Sequence, residues 1–284
     1  MSARILDGKL VSGLLREELK RRVESLASKG VTPRLHVLAA SQDPASQAYV
    51  RMKRKRAEDA GIETVAREVF DETTLAEVLD TIGQWNADPA VHGVLIQHPL
   101  PSHLDESAAL TALGPEKDVD GITPQSLGRL AAGLPGFRCA TPLGIVRLID
   151  HFEVPIEGKR AVVIGRSVIL GKPMALMLLE RNATVTIAHS KTNDLPDLCR
   201  NADILVAAAG RPEMVRGDWI LPGAVVVDAG YSRVEGREGE VGDVHFESAR
   251  ERASWISPVP GGVGPMTVAS LLGNVVSAAE AAAA

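Results

Sequence analysis

The sequence predicts an α/β protein of two domains, of which the second contains a mostly parallel β-sheet. The chain has 284 residues, 45% of them hydrophobic, and can therefore fill the cores of two ordinary domains. Segments with strand and helix patterns alternate along both halves, which is typical of right-handed βαβ units and parallel sheets. Segment 132–138 contains two Gly and one Pro and is the predicted hinge between the halves.

The first half combines three predicted helices with two predicted strands. Apolar residues at helical spacing predict helices over 8–29, 44–61 and 74–86. Short apolar runs predict strands over 35–40 and 91–96. We expect the second helix to begin with Asp43 as its N-cap and Pro44 as its first residue.

The second half alternates more regularly. Its apolar runs predict strands over 160–165, 184–188, 203–209 and 224–228. A helix over 173–181 is predicted between the first two of these strands. A last helix is predicted from Pro265 or Met266, too far beyond the fourth strand to be an obvious neighbour in that sheet.

Composition and charge argue against several classes of function. The net charge of −5 disfavours nucleic-acid binding, which needs a concentrated basic surface. No long apolar window and no signal-peptide core occur, so neither a membrane span nor secretion is expected. Cys139 and Cys199 lack metal-ligand spacing and indicate reduced thiols, which predicts a cytoplasmic or organelle-matrix protein. His92, His98 and His103 show no metal-like pairing, so no metal site is expected.

A glycine-containing turn in the second half predicts a dinucleotide site. Gly165 and Gly171 lie between a predicted strand and a predicted helix. A dinucleotide pyrophosphate binds N–H groups at such a helix N-terminus, and glycines allow the backbone to approach it closely. The spacing departs from G-x-G-x-x-G, so this segment alone also fits a glycine-rich turn of any α/β protein.

The residues after the next strand favour NADP over NAD. NAD sites commonly place Asp or Glu there to bind the ribose 2′-hydroxyl. This strand instead ends in His189-Ser190-Lys191, and Arg166 directly follows Gly165. Arg and Lys give charge-assisted hydrogen bonds to a 2′-phosphate, although Lys191 equally fits a solvated loop lysine.

The helix predicted from Pro44 carries a candidate catalytic lysine. Tyr49 and Lys53 are four residues apart and therefore lie on one face of that helix. Arg56 also falls on the apolar arc, so periodicity does not select Lys53 alone. For most of the segment R-M-K-R-K-R at 51–56, a solvated charged face is the simpler interpretation.

Two further polar positions are candidates for a site. Gln97 ends a buried strand before a Pro-rich loop, where its side chain can point into a cleft. Segment 115–121 places several charges before Gly121, and a capping and turn cluster is the alternative interpretation of it.

Six segments together resemble one enzyme family. They are Pro44–Lys53, Gly93–Pro101, Pro115–Gly121, Gly165–Pro173, His189–Thr192 and Pro258–Thr267. They occur in the family's order over essentially the whole chain, and P-V-P-G-G-V-G-P-M-T at 258–267 is highly specific. On these segments the sequence resembles the bifunctional methylenetetrahydrofolate dehydrogenase/methenyltetrahydrofolate cyclohydrolase family.

The resemblance implies a folate enzyme of one-carbon metabolism, with purine biosynthesis as an expected use. It implies NADP-dependent oxidation of 5,10-methylenetetrahydrofolate to the methenyl cation, followed by hydrolysis to 10-formyltetrahydrofolate. Lys53 matches the catalytic lysine of the family, and Tyr49 matches the tyrosine that packs on the folate. Gln97 matches the glutamine that hydrogen-bonds the lysine, and Asp120 matches the aspartate that anchors the pterin.

The resemblance also assigns cofactor contacts and a substrate loop. The matching cofactor contacts are Gly165, Arg166, Ser167, Ser190 and Tyr231. The matching substrate-loop residues are Pro260, Gly261 and Gly264. Three positions depart from the family: His98 replaces a usual Leu, Cys139-Ala140 replaces Pro-Cys, and Tyr231 replaces an aliphatic residue. None of the departures removes a residue to which chemistry is assigned.

The two implied reactions make different demands on the protein. Hydride loss leaves a cation shared by two nitrogens, so positioning the nicotinamide against the folate can supply most of the catalysis. Hydrolysis needs a group that activates water and protonates a ring nitrogen, and Lys53 can do both if its pKa is lowered. Gln97 can orient the lysine without adding charge, and ionised Asp120 can accept hydrogen bonds from the pterin.

We predict that residues 1–139 form an α/β folate-binding domain and residues 140–264 a Rossmann-like NADP-binding domain. The helix over 265–284 is expected to return to the first domain, with the active site in the cleft between the two. The resemblance further implies a homodimer. Three alternatives remain: a monofunctional NAD(P)-dependent dehydrogenase, an unrelated two-domain dehydrogenase such as one acting on shikimate, and a non-enzymatic dinucleotide-sensing protein.

Overall fold

The structure is a computed structural model that describes residues 2–40, 44–237 and 239–284, and of residues 44–50 it describes the backbone. The chain divides into two compact units. The three-stranded unit consists of Leu14–Ala140 and Val268–Ala284. The six-stranded unit consists of Met1–Gly13 and Thr141–Thr267.

The described strands follow in chain order. They are β1 (Arg4–Ile5), β2 (Arg34–Ala40), β3 (Glu63–Val69), β4 (Gly93–Ile96), β5 (Arg160–Ile164), β6 (Thr184–Ala188), β7 (Ile204–Ala207), β8 (Val225–Asp228), β9 (Ser232–Arg233), β10 (Glu240–Val241) and β11 (Trp255–Ile256). The described α-helices are α1 (Gly8–Ala27), α2 (Pro44–Asp59), α3 (Leu75–Ala87), α4 (Glu106–Ala112), α5 (Pro124–Ala131), α6 (Ala140–His151), α7 (Gly171–Glu180), α8 (Leu195–Cys199), α9 (Phe246–Arg250) and α10 (Val263–Ala282). A 3-10 helix covers Gly217–Trp219.

The three-stranded unit is built on a parallel sheet in the order β3-β2-β4. The central strand β2 is buried on both faces, which explains its continuous apolar run. Leu35 and Val37 belong to one core cluster with residues of α1 and α10. Leu38 points to the opposite face and belongs to a second cluster with residues of α3 and α4. This doubly covered sheet fixes the position of Gln97, which directly follows β4.

The six-stranded unit contains a parallel sheet in the order β1-β11-β8-β7-β5-β6. The chain passes from β5 to β6 on one side, whereas β7 pairs with β5 on the other side. The strand order therefore reverses at β5. In open α/β sheets a ligand binds beyond the carboxyl ends of the strands at such a switch point. The predicted glycine turn follows β5 directly and thus lies at that point.

The structure confirms the predicted fold class of two α/β units with mostly parallel sheets. The predicted helices and strands are present, with ends that differ from the predicted ones by up to three residues. The last helix begins at Val263, two residues before the predicted Pro265. Asp43, the predicted N-cap of α2, lies outside the described residues, and α2 begins at Pro44 as predicted. The expected site in a cleft between the domains stays a prediction.

Several elements were not predicted from the sequence. Strand β3 lies at the edge of its sheet and mixes polar with apolar residues, so it lacks the apolar run that identifies β2 and β4. Strands β1 and β11 have two residues each, which is too short for any periodicity. Their pairing joins the first residues of the chain to the six-stranded unit, whereas the predicted domain boundaries placed them in the first domain.

Among the described residues, no helix combines the length and the apolar character that crossing a membrane requires.

Candidate active site

Helix α2 carries Lys53 on its buried face. Lys53 is 6% exposed, and Ala57, one helical turn later, is fully buried. The neighbouring basic residues Arg54, Lys55 and Arg56 are exposed. The structure therefore distinguishes Lys53 from Arg56, which the helical spacing alone left equivalent, and the solvated-face interpretation holds for the other basic residues.

The side chain of Gln97 holds the Lys53 amine. Lys53 Nζ donates a hydrogen bond to Gln97 Oε1 at 3.0 Å. The other end of the amide, Gln97 Nε2, donates to the His98 carbonyl oxygen at 3.1 Å. Because Nε2 is used for the backbone, the oxygen faces the lysine, and the amide orients it without contributing a charge.

The surroundings of Lys53 favour its neutral form. Burial lowers the pKa of the Lys53 amine because an ammonium group loses its hydration there. The negative charge of Asp120 acts in the opposite direction and limits the fall in pKa. A lysine with a lowered pKa more readily supplies the neutral amine that a general base needs.

Asp120 lies in a turn that is fixed from several directions. The fully buried carboxylate of Asp118 accepts hydrogen bonds from the N–H groups of Ile122, at 3.2 Å, and Thr123, at 2.9 Å. Gly121 has a φ of +66°, and a Cβ there would overlap the backbone of Arg138. The turn is therefore rigid, and glycine is required immediately after Asp120.

The carboxylate of Asp120 is half-buried and faces two potential cations. Burial raises the pKa of Asp120, and the charges of Lys53 and His98 act against that rise.

Helix α10 supports the turn that carries Asp120, since Asn274 Nδ2 donates to the Val119 carbonyl oxygen at 2.8 Å. Lys53, Gln97 and Asp120 are thus brought together within the three-stranded unit, as predicted from separate segments.

The glycine turn after β5 is packed as a dinucleotide loop requires. Gly165 has a φ of +142°, and a Cβ there would collide with the carbonyl oxygen of Ala208. A Cβ at Gly171 would collide with the carbonyl oxygen of Gly165. Ser167 holds the turn between them, because its hydroxyl accepts from the Gly171 N–H at 3.3 Å. Close backbone packing, rather than a G-x-G-x-x-G spacing, is what requires these glycines.

Ser190 lies in a second turn beside the glycine turn. Gly165 N donates to the Ala188 carbonyl oxygen at 2.8 Å, which joins the ends of β5 and β6. The turn after β6 is closed by Thr192, whose hydroxyl accepts from the His189 N–H at 2.9 Å. Ser190 is exposed at this turn, and Arg166 is exposed beside it at the neighbouring strand end.

The residues at these two strand ends fit NADP. A pyrophosphate needs a backbone that a Cβ would obstruct, and both Gly165 and Gly171 meet that condition. A 2′-phosphate needs exposed donors and a positive charge, which Arg166, Ser190 and Lys191 offer. No acid stands at the end of β6 to bind a free ribose 2′-hydroxyl, as NAD sites commonly have.

Two buried aspartates, which were not singled out from the sequence, hold the loops beyond β7 and β8. The Asp243 carboxylate accepts hydrogen bonds from three successive N–H groups, those of Ala209, Gly210 and Arg211. The Asp228 carboxylate accepts from the N–H groups of Gly230, Asp243 and Val244. Burial raises the pKa of Asp228 to about 7, against the effect of these N–H donors. An Asp that directly ends an apolar strand, as Asp228 does, is the signal that could have identified it.

Tyr231 is mostly exposed beyond β8, with a relative exposure of 65%. Its hydroxyl donates to Glu240 Oε1 at 2.8 Å, which links it to β10. Burial and the Glu240 carboxylate raise the pKa of the Tyr231 hydroxyl. The ring therefore lies at the carboxyl end of the sheet, where a bound dinucleotide could contact it.

The predicted substrate-loop residues lie in the six-stranded unit. Gly261 has a φ of +112°, and its carbonyl oxygen accepts a hydrogen bond from Lys9 N at 3.0 Å. Gly8 packs so tightly on Gly262 that a Cβ at Gly8 would collide with the Gly262 carbonyl oxygen. The N-terminus of α1 thus fixes this loop, in which Pro260 and Gly264 are exposed.

The site residues fall into two groups, one in each unit. Lys53, Gln97 and Asp120 form the group in the three-stranded unit, and the cofactor and loop residues belong to the six-stranded unit. Tyr49 lies in α2, and its side chain is outside the described part of the chain. Among the described residues, no group of three or more His, Cys, Asp or Glu side chains could hold a metal ion.

The six-stranded unit has a parallel sheet with a glycine turn at its switch point, and the other unit has a buried lysine beside an amide and a carboxylate. Together these features define the class of two-domain dinucleotide-dependent enzymes. Comparison with known proteins identifies the family within this class. Residues 6–120 match the family model "Tetrahydrofolate dehydrogenase/cyclohydrolase, catalytic domain". Residues 139–283 match the model "Tetrahydrofolate dehydrogenase/cyclohydrolase, NAD(P)-binding domain". The chain belongs to the tetrahydrofolate dehydrogenase/cyclohydrolase family.

Individual relatives agree with this assignment over their full length. The chain is 51% identical to the "Bifunctional protein FolD" of Moorella thermoacetica, over 99% of this chain and 100% of that protein. The crystal structure of the bifunctional enzyme FolD from Campylobacter jejuni superposes with a TM-score of 0.97 at 44% identity, covering 99% of each chain. A Trypanosoma brucei enzyme that is also named FolD was solved with NADP and an inhibitor. It superposes with a TM-score of 0.94 at 38% identity and covers 99% of this chain and 98% of that chain.

Proposed function

We propose that this protein oxidises 5,10-methylenetetrahydrofolate with NADP and then hydrolyses the methenyl product to 10-formyltetrahydrofolate. The observation that carries the proposal is the buried hydrogen bond from Lys53 to Gln97, close enough to Asp120 for their charges to interact. Burying an amine costs folding free energy, and a protein that only binds a dinucleotide has no use for such a group.

The oxidation step depends on positioning. NADP, when bound, would supply the hydride acceptor, and residues of the six-stranded unit would hold it. Gly165 and Ser167 would shape the turn that binds the pyrophosphate, Arg166 and Ser190 would bind the 2′-phosphate, and Tyr231 would contact the cofactor. The cation that remains after hydride loss is shared by two nitrogens, so this step requires no base from the protein.

The hydrolysis step depends on Lys53. Its lowered pKa allows the neutral amine to take a proton from water as the oxygen attacks the methenyl carbon. The resulting ammonium then protonates the ring nitrogen when the carbon–nitrogen bond breaks. A neutral lysine also avoids repulsion with the cationic substrate.

Substrate orientation is assigned to both units. Asp120, when ionised, accepts hydrogen bonds from the donor edge of the pterin. Tyr49 packs against the folate ring system, and Pro260, Gly261 and Gly264 form the loop beside the substrate. Relatives named as bifunctional enzymes over their full length support these assignments. We further propose a homodimer in the cytoplasm, whose product serves one-carbon metabolism, including purine biosynthesis.

One assay tests the proposal. Purified protein is given methylenetetrahydrofolate with NADP or with NAD, and reduced cofactor, methenyl product and formyl product are followed together. We expect NADPH and 10-formyltetrahydrofolate to accumulate. Reduced cofactor without the formyl product would identify a monofunctional dehydrogenase, and no reduced cofactor in either case would overturn the proposal.

A further inference from the structure

The imidazole of His98 is held by a carboxylate and has one ring nitrogen available. His98 Nδ1 lies 2.8 Å from Glu106 Oε1. The second oxygen of that carboxylate, Oε2, accepts a hydrogen bond from the Leu100 N–H at 2.8 Å, which fixes Glu106 in place. His98 Nε2 is buried and has no hydrogen-bond partner among the described residues.

This arrangement determines the chemistry that His98 can do. A carboxylate at Nδ1 keeps a proton on that nitrogen, so that Nε2 of the neutral ring carries a lone pair. The carboxylate also fixes the orientation of the ring, since its other oxygen is held by the Leu100 N–H. A buried polar atom without a partner is costly, and a ligand that hydrogen-bonds to it removes that cost.

His98 lies beside the hydrolytic site on one side and reaches solvent on the other. It directly follows Gln97, which holds Lys53, and its charge acts on Asp120. The charged groups around it are Glu106, from α4, and Asp120, from the turn between α4 and α5, and Lys53 of α2 acts on the same Asp120. The side chains of His98 and Glu106 are 20% and 34% exposed, so a proton can pass from them to water.

The proton balance of hydrolysis leaves one proton that must reach solvent, and a second acceptor besides Lys53 lets that proton leave while Lys53 is still protonated. Water brings two protons, and the product keeps one of them, on the ring nitrogen released when the carbon–nitrogen bond breaks. Lys53 takes the first proton when the oxygen bonds to the methenyl carbon and returns it to that nitrogen. The second proton leaves the hydroxyl oxygen as the formyl carbonyl forms, while Lys53 still carries the first.

We propose that His98, oriented by Glu106, accepts this second proton at Nε2 and releases it to solvent. The inference rests on the proposed hydrolysis and adds a residue to it. His98 is then a catalytic residue for hydrolysis and has no part in hydride transfer. The two half-reactions therefore separate its effect from a general disturbance of the site.

The test compares the two half-reactions in His98→Gln, which keeps a polar side chain but cannot exchange a proton at neutral pH. We expect kcat for methenyl hydrolysis to fall about 100-fold, the usual contribution of a general base, while dehydrogenase turnover stays within about twofold. Glu106→Gln should lower hydrolysis about tenfold, since the imidazole loses the carboxylate that orients it. His103→Gln is the matched control, because His103 is exposed and, among the described residues, its ring hydrogen-bonds to the Thr73 carbonyl oxygen alone.

Chemical rescue separates proton transfer from structure. Imidazole buffer should restore hydrolysis in His98→Ala, in proportion to its neutral form and after subtraction of the rate without enzyme. Hydrolysis in His98→Gln within twofold of the original protein, or no response of His98→Ala to imidazole, would overturn the inference. If the original protein itself does not hydrolyse the methenyl cation, the proposed function is wrong, and the proposed role of His98 is wrong with it.

Discussion

The amine of Lys53 and the amide oxygen of Gln97 lie 3.0 Å apart, although the two residues are 44 positions apart in the chain. Helix α2 presents the lysine, and the end of β4 presents the glutamine. An uncharged acceptor satisfies the buried amine without stabilising its ammonium form as a carboxylate would. The pair therefore holds a lysine whose pKa is lowered, and the predictions below test its role and that of the cofactor turn.

Replacement of Lys53 by Ala should abolish methenyl hydrolysis, with a loss of about 100-fold or more, because the base and the acid are both removed. Binding of NADP should survive, since the cofactor residues belong to the other unit. Hydrolysis is followed by loss of methenyl absorbance and NADP binding by calorimetry. Lys55→Ala, which removes an exposed lysine of the same helix, is the control. Unchanged hydrolysis in Lys53→Ala would exclude Lys53 from the mechanism.

Replacement of Gln97 by Glu should move the pH dependence of hydrolysis upward. An anion beside Lys53 favours the ammonium form and raises its pKa, so less neutral amine is present at a given pH. The rising limb of kcat against pH is expected to shift to higher pH by about 1–3 units. Gln84→Glu adds the same charge on the exposed face of α3 and should leave the profile in place. A profile of Gln97→Glu that does not move would separate Gln97 from the titration of the lysine.

Replacement of Arg166 by Ala should weaken NADP far more than NAD. A charge-assisted hydrogen bond to a phosphate contributes about 1.5–3 kcal/mol, which corresponds to roughly 10- to 100-fold in Kd. The two dissociation constants are measured side by side by calorimetry. Arg181→Ala, at the other end of α7 and paired with Asp150, should change neither. Equal losses for NADP and NAD would refute the 2′-phosphate assignment.

Replacement of Gly165 by Ala should destabilise the protein and weaken cofactor binding together. The added Cβ would meet the Ala208 carbonyl oxygen, and alanine rarely adopts a φ of +142°. We expect a loss of about 3 kcal/mol from strain and overlap. Gly128→Ala in α5 is the control, because a Cβ there meets no atom within 4 Å. Denaturant midpoints and NADP affinity are compared, and an unaffected Gly165→Ala variant would contradict the packing argument.

The sequence predicts best where one local pattern determines the outcome. Strand β2 is buried on both faces, so its apolar run was sufficient to identify it. Helical spacing did not distinguish Lys53 from Arg56, because it identifies the face of a helix but not which residues of that face a neighbouring strand covers. The resemblance to the family removed that ambiguity before the structure did.

The elements and site residues that the sequence does not reveal are those defined by contacts with residues far away in the chain. Strands β1 and β11 are defined only by their pairing, across 251 residues of chain. Asp228 and Asp243 are identified by the backbone N–H groups they accept from, and those groups belong to several loops. From the sequence, His98 was noted as a departure from a family pattern and as a histidine without metal-like pairing. Its contact with Glu106 depends on how α4 folds back on the strand end.

The order in which the ribosome produces the chain does not match the order in which the two units can be completed. Strand β1 is made first but must wait for its partner β11, and Asn274, near the end of the chain, holds the turn that carries Asp120. The six-stranded unit cannot acquire all its native contacts before β11 is made, and the three-stranded unit cannot do so before α10 is made. A nascent chain that stops before α10 would therefore hold Lys53 and Gln97, but the turn that carries Asp120 would lack its hydrogen bond from Asn274.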